Sequence, residues 1–194
     1  RQRQMCIRDR CCEAGIKVTA LPGAAASVTA LIISGLPTRR FCFEAFLPTD
    51  KKEHQRVLAE LQNETRTIVL YEAPHHLLRT LTELYEALGD RKASICRELT
   101  KKYETAFRTT LSQAVAYYTE NEPKGECVIV IEGKSVQEIE AEDQARWQQM
   151  SLEEHMEHYE SQGNSRKEAM KLVAKDRGVS KRDVYQALLE AEEA

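Results

Sequence analysis

ASICRELTKKYE, residues 93–104, decides how the rest of this chain is read. Its first four residues are small or apolar and read as a buried strand. The eight that follow hold two acids (Glu98, Glu104), three bases (Arg97, Lys101, Lys102), the Thr100 hydroxyl and the Tyr103 phenol. A loop that need only stay in solution has little use for so many mixed charges directly behind a buried strand. In α/β proteins ligands sit at the carboxyl ends of strands. The stretch therefore predicts an α/β fold whose active site, at this strand end, handles an anionic substrate. An ordinary solvated loop is the alternative reading.

Working outward, strand and helix patterns alternate. Residues 16–21 read as a strand, the Pro22-Gly23 pair as a turn, and the small-residue run 24–33 as a helix. After a linker at 34–40, residues 41–46 are strand-like. Residues 50–64 form a charged helix with Val57, Leu58 and Leu61 on one face. Residues 68–71 are a strand, and a helix runs from Pro74, a good first-turn residue, to Leu88, stopped by Gly89. Strands at 93–97 and 104–109, a short helix at 111–118 and a buried strand at 127–132 complete the series. Such alternation predicts an α/β layer on a largely buried sheet.

Composition bounds the rest. The 194 residues suit one or two domains; 42% are hydrophobic, 30% are charged, and the net charge is -3. No apolar run approaches the length of a membrane span, and none reads as a signal peptide. None of the six cysteines forms a C-x-x-C pair. Cys42, Cys96 and Cys127 lie in strand-like segments, as small hydrophobes in a reducing, cytoplasmic setting would. His155 and His158 have helical spacing but no third ligand near, so no metal site is expected and a solvated helix face is the reading. The first ten residues, RQRQMCIRDR, show neither period and read as a leader of artefactual origin, with a helix end at 11–14 capped by Gly15.

Beyond Gly133 the character changes. Residues 135–150 read as an acidic linker that becomes helical, and 151–194 as a module of three helices. Ser165 with Glu168, and Ser180 with Asp183, are capping boxes around Gly178, a pattern like a helix-turn-helix. Ala169, Leu172 and Val173 form one apolar face, and Val184, Leu188 and Leu189 another. Between Asn164 and Val184 seven bases face three acids: Arg166, Lys167, Lys171, Lys175, Arg177, Lys181 and Arg182 against Glu168, Asp176 and Asp183. That excess suits a nucleic-acid footprint. A solvated face with i, i+4 ion pairs would look the same.

Five segments also carry a resemblance: LPGAAASVTAL (21–31), SGLPTRRFCFEAFLP (34–48), YEAPHHLL (71–78), RELTKKYE (97–104) and KGECVIVIEG (124–133), in that order. Together they closely resemble the tetrapyrrole methylase superfamily. Within it they resemble the ribosomal RNA small subunit methyltransferase I family, cytidine 2'-O-methyltransferases of small-subunit ribosomal RNA. The resemblance implies a tetrapyrrole-methylase-like α/β fold with S-adenosylmethionine (SAM) held between two domains, a homodimer, and small-subunit ribosomal RNA as partner. On that pattern residues 11–38 are the end of the SAM-binding first domain, most of which is missing. Residues 39–134 are a complete second α/β domain, and the chain alone is expected to be inactive.

The resemblance also implies roles. Pro22 and Gly23 would turn the chain into the helix, with Ala25 and Ala26 touching the cofactor; a small-residue helix packed on a sheet needs the same residues. Glu72 and Leu99 would line the cofactor cleft. The reaction would be in-line attack of a ribose 2'-hydroxyl on the sulfonium methyl, in which positioning supplies most of the acceleration. Glu98 is the first candidate to accept the proton and Glu72 the second. Arg97 and Lys101, with Arg166, Lys167, Lys171, Lys175, Lys181 and Arg182, would hold RNA phosphates. A Lys101–Glu104 ion pair and a core role for Tyr71, rather than base stacking, are the plainer alternatives. Two other functions stay open: a SAM methyltransferase of a tetrapyrrole-type small molecule, and a nonenzymatic nucleic-acid-binding protein.

Overall fold

The computed structural model describes residues 2–192. In chain order the elements are α1 (Gln2–Glu13), α2 (Ala26–Ile33), β1 (Phe41–Ala45), α3 (Lys51–Leu61), β2 (Thr67–Glu72), a 3-10 turn at Pro74–His76 leading into α4 (Leu77–Leu88), β3 (Lys92–Arg97), β4 (Thr105–Thr110), α5 (Leu111–Glu120), β5 (Cys127–Ile131), α6 (Val136–Gln149), α7 (Leu152–Glu160), α8 (Arg166–Asp176) and α9 (Lys181–Glu192).

Period-two alternation in the central strands builds two cores at once. Ile68, Leu70, Ile95, Ile129 and Ile131 point to one face of the sheet, where α3, α4 and α5 add Leu61, Leu81, Leu84 and Leu111. Val69, Cys96, Val128 and Val130 point to the other, where α2 lays Ala30 and Leu31 on them. Because both faces are covered, β5 is buried throughout and reads as a continuous apolar run. Each such side chain taken out of water contributes about 1.5–3 kcal/mol, so these layers carry most of the stability.

The strand order is β1-β2-β5-β3-β4. β1 and β2 are parallel, and β5 runs antiparallel to both β2 and β3. It follows that β1, β2 and β3 all end at the same edge of the sheet. The loops after Ala45, Glu72 and Arg97 meet there, beside the turn that opens β5. β1 carries a register shift between Phe43 and Ala45, with Ala45 at φ +52°.

Two expectations need correction. Residues 16–21 are not a strand: among the described residues no strand pairs with them, and Ile16, Val18 and Leu21 are exposed. A strand whose backbone groups find no ladder gains nothing over solvated chain. Residues 2–13 are helical, not irregular; Gln, Arg and Met are good helix formers. This helix ends at Gly15, φ +67°, as its glycine suggests. Residues 136–149 are one helix, opened by a reciprocal capping box between Ser135 and Glu138. The range 151–194 runs past the described residues at 193 and 194, and residue 1 likewise lies outside them.

α7, α8 and α9 pack around Met156, Ala169, Val173, Val184 and Leu188. Capping boxes Ser151/Glu154 and Ser165/Glu168 fix two helix starts, and Ser180 and Asp183 bond reciprocally at the third. His155 departs from the solvated face read for it. It is fully buried, stacked on Trp147 at 4.2 Å, with Nδ1 accepting from Arg177 Nε at 3.1 Å. Arg177 also donates to the carbonyls of Met150 (2.6 Å) and Ser151 (2.9 Å). It is an internal strut and leaves the basic surface to its neighbours.

Candidate active site

The edge where β1, β2 and β3 end opens into a cavity of about 600 Å3 on the α2 side. Ala24, Ala25 and Ala26 line it together with Glu98, Leu99 and Lys101. Phe46, Tyr71 and Gly125, just before β5, line it as well. α2 begins here without a side-chain cap, since its N-cap is Ala25. Its first-turn Ser27 N–H instead donates to the Tyr71 hydroxyl oxygen at 3.1 Å. The Tyr71 ring packs edge-on against Phe43 at 5.0 Å and tilted against Phe46 at 5.7 Å. Tyr71 is thus a half-buried brace that carries a polar tip into the cavity wall.

The charged loop is held in an unusual backbone. Glu98 (φ +50°) and Thr100 (φ +63°) both occupy the left-handed region, which non-glycine residues rarely adopt. Cross-loop bonds hold it there: Thr100 N–H donates to Glu104 at 2.7 Å, and Lys101 N–H to the Glu98 carbonyl at 3.0 Å. Strain of about 1–3 kcal/mol per residue, kept by surrounding bonds, is characteristic of functional loops. The Glu98 carboxylate is mostly buried and pairs with Lys101 Nζ at 3.2 Å. It lies across Gly125 so closely that a Cβ there would stand 2.2 Å from it. Gly125, at φ +78°, leaves room for this carboxylate above its backbone. Arg97 sits on the rim, bound to Thr105 Oγ1 and the Lys124 carbonyl, both at 3.3 Å.

Electrostatics narrows the chemistry. Burial pushes the Cys127 thiol up to about 11 and raises Cys96 as well. Neither thiol is a nucleophile near neutrality. The charged groups on the cavity lining beside these thiols include the paired Glu98 and Lys101.

A family model for Tetrapyrrole (Corrin/Porphyrin) Methylases matches residues 5–115. The chain belongs to this family. Two curated relatives, each named Ribosomal RNA small subunit methyltransferase I, extend the likeness past the matched region. The protein of Bacillus subtilis is 45% identical over 170 residues, covering 88% of this chain and 58% of its own length. That of Halalkalibacterium halodurans is 47% identical over 171 residues, again 88% and 58%. The chain thus spans 58% of the length of these relatives. Among solved structures, a cobalamin biosynthetic enzyme, cobalt precorrin-4 methyltransferase, superposes with a TM-score of 0.50 at 17% identity, over 68% of this chain and 57% of that one. The last likeness speaks for the shared tetrapyrrole methylase fold alone.

In this tetrapyrrole methylase the expected site residues are divided among four places. Ala25, Ala26, Glu98, Leu99 and Lys101 meet at the first cavity, with Arg97 at its rim. Pro22 and Gly23 precede it on exposed chain and are not among its lining. Glu72 is elsewhere: its buried carboxylate accepts from Ala73 N–H (2.7 Å) and Thr80 Oγ1 (2.6 Å) and lines a second cavity, on the α3–α4 side. Adjacent strand residues face opposite sides, so Tyr71 and Glu72 cannot share one site. Lys101 pairs with Glu98, and Glu104 is taken by the loop backbone. Arg166, Lys167, Lys171, Lys175 and Arg182 are exposed on α8 and α9, and Lys181 is half-buried. Lys167, Lys171 and Lys175 recur every four residues, away from the buried Ala169 and Val173. Sequence reasoning missed Phe46 and Gly125 as lining residues; the signal was present in an aromatic directly after β1 and a glycine just before β5.

Proposed function

We propose that this chain is part of a SAM-dependent methyltransferase that modifies the 2'-hydroxyl of a cytidine in small-subunit ribosomal RNA. The observation that carries the reading is the first cavity. Four residues that the resemblance assigns to the cofactor or to proton acceptance (Ala25, Ala26, Leu99 and Glu98) and one assigned to RNA phosphate (Lys101) line it, at the end of three strands. Its volume of about 600 Å3 falls within the range of about 300–1,000 Å3 usual for small-molecule sites. Methyl-sized walls at Ala25 and Ala26 and apolar contacts at Leu99 and Val128 fit one side of SAM. When bound, SAM supplies an electrophilic methyl on a sulfonium.

The chain's own residues have three tasks. Leu99 and the alanines position the donor, which matters most because methyl transfer from a sulfonium is already favourable. Glu98 accepts the proton of the ribose hydroxyl as the bond forms, its carboxylate lying over Gly125 and paired with Lys101. Lys101, exposed on its outer side, and Arg97 engage flanking phosphates, and the α8–α9 bases add sequence-independent affinity. The reading includes a cytoplasmic homodimer. β1 is an open sheet edge with Phe41 and Phe43 exposed, and such edges favour association.

The test is methyl transfer from labelled SAM to undermethylated small ribosomal subunits. It is run with this chain and with a chimera that adds the remaining sequence of the Bacillus subtilis relative. Label recovered as 2'-O-methylcytidine from the chimera supports the reading. SAM binding by the chimera without label in RNA overturns it in favour of a small-molecule substrate.

A further inference from the structure

The second cavity, about 980 Å3, lies on the α3–α4 side of the same sheet edge and shares Phe46 with the first. Given the methyl-transfer reading above, on which this inference rests, we propose that it is the pocket that receives the target base. It takes a planar nucleobase bearing an exocyclic amine, with Glu72 accepting from that amine and Phe46 stacking on the ring.

Four features of the cavity select this ligand. Glu72 is only 8% exposed and makes no ion pair among the described residues. An ionised carboxylate has about four acceptor positions, and the Ala73 and Thr80 donors use one on each oxygen. The remaining capacity suits the two hydrogens of an amine. Phe46, Leu47, Pro48 and Leu58 supply apolar walls, and apolar walls around a few fixed polar groups are the pattern of a ring-binding site.

Part of the charge in the lining is matched within the cavity. A second acid of the lining, Glu83, is already held by His54 Nε2 at 3.0 Å and by Arg79 Nε at 2.9 Å. His54 is fixed from behind by contact with the Pro48 carbonyl at 3.0 Å. Exposed Lys51 lines the same cavity as Arg79 and Glu86, and a cationic side chain there suits a ligand that carries phosphate. A carboxylate reads a base by accepting from the exocyclic amine of cytosine, and unstacked RNA bases are held on aromatic side chains. Shared Phe46 then places the ribose of that nucleotide between the base pocket and Glu98.

The experiment titrates the 194-residue chain, 15N-labelled and without SAM, with cytidine 5'-monophosphate and with uridine 5'-monophosphate. Cytidine 5'-monophosphate is expected to move the Ala73 and Thr80 amide resonances and to bind about tenfold more tightly than the uridine nucleotide. Glu72→Gln brings the two within about twofold, because an amide can also donate to the uracil carbonyl. Phe46→Ala weakens both nucleotides while keeping their order. Equal wild-type affinities, a preference that survives Glu72→Gln, or displacement by putrescine overturns the proposal. If Glu72→Gln does not fold, undiminished binding by Phe46→Ala does so. Cytidine-selective binding without methylation of ribosomal subunits leaves the pocket standing and removes the ribosomal reading. Methylation with no nucleotide at Glu72 removes the pocket alone.

Discussion

IKVTAL at 16–21 and CVIVI at 127–131 have the same strand-like composition and opposite fates. β5 is hydrogen-bonded on both sides, to β2 and to β3, and Ile129 is completely buried. Residues 16–21 pair with no strand among those described, and Leu21 is 92% exposed. β-branched residues propose a strand; a partner on each edge decides it. β propensity is a measure of fit to a half-buried pleated surface, and it has no value where there is no such surface.

The sharpest way to break this comparison is Ile129→Ala. It removes a fully buried side chain from the centre of the sheet, where the neighbours on the α3–α5 face are too well packed to close the gap. A loss of about 4 kcal/mol is expected from denaturant unfolding. A loss below about 1 kcal/mol would mean that the central strand is not where the molecule's stability lies.

Legibility followed the same division. Wherever an apolar period met its partner within the chain, the sequence read correctly: β1, β2, β3 and β5 lie within one or two residues of expectation, and α4 stops at Gly89. Tertiary partners that are distant in sequence were not visible. Nothing in YEAP tells which side of the sheet Glu72 faces until Thr80, in the first turn of α4, takes its carboxylate. His155 and His158 look alike at helical spacing. Only the packing of Trp147 and Arg177, from α6 and from the end of α8, buries the first and leaves the second exposed. At the first cavity the charged run behind β3 was legible because charge after a buried strand is rare. Phe46 and Gly125 were not, since an aromatic and a glycine have many ordinary uses.

The α7–α9 unit offers a smaller test, of a core built on polar contacts. Arg177→Ala leaves His155 Nδ1 and the Met150 and Ser151 carbonyls without their donor. That is expected to cost about 2–3 kcal/mol. Trp147, the sole tryptophan, stacks on His155, so its fluorescence reports this unit directly. Retention of the wild-type unfolding midpoint in that signal would show that the strut is dispensable.

Acid should act on the same residue more gently. Burial, with the Arg177 guanidinium next, holds the His155 imidazole below its ordinary value of 6.5. Below that pH the unfolded chain binds a proton that the folded unit refuses, so stability falls as pH drops through 6.5. The slope is at most about 1.4 kcal/mol per pH unit for one group. The Trp147 midpoint should be flat above pH 7 and decline below 6.5, and His155→Gln should flatten the decline. An unchanged acid limb in that variant would assign it to other groups.

The smallest effect returns to the strand that is not one. Val18→Ala removes two methyl groups that already face solvent, so there is no cavity to create and no ladder bond to lose. Its effect should stay within about 0.5 kcal/mol, as for other surface positions. The contrast with Ile129→Ala is then close to the whole value of a packed strand position. If Val18→Ala were instead to cost 2 kcal/mol or more, residues 16–21 would have found a partner in solution, and the same composition would have had the same fate in both places.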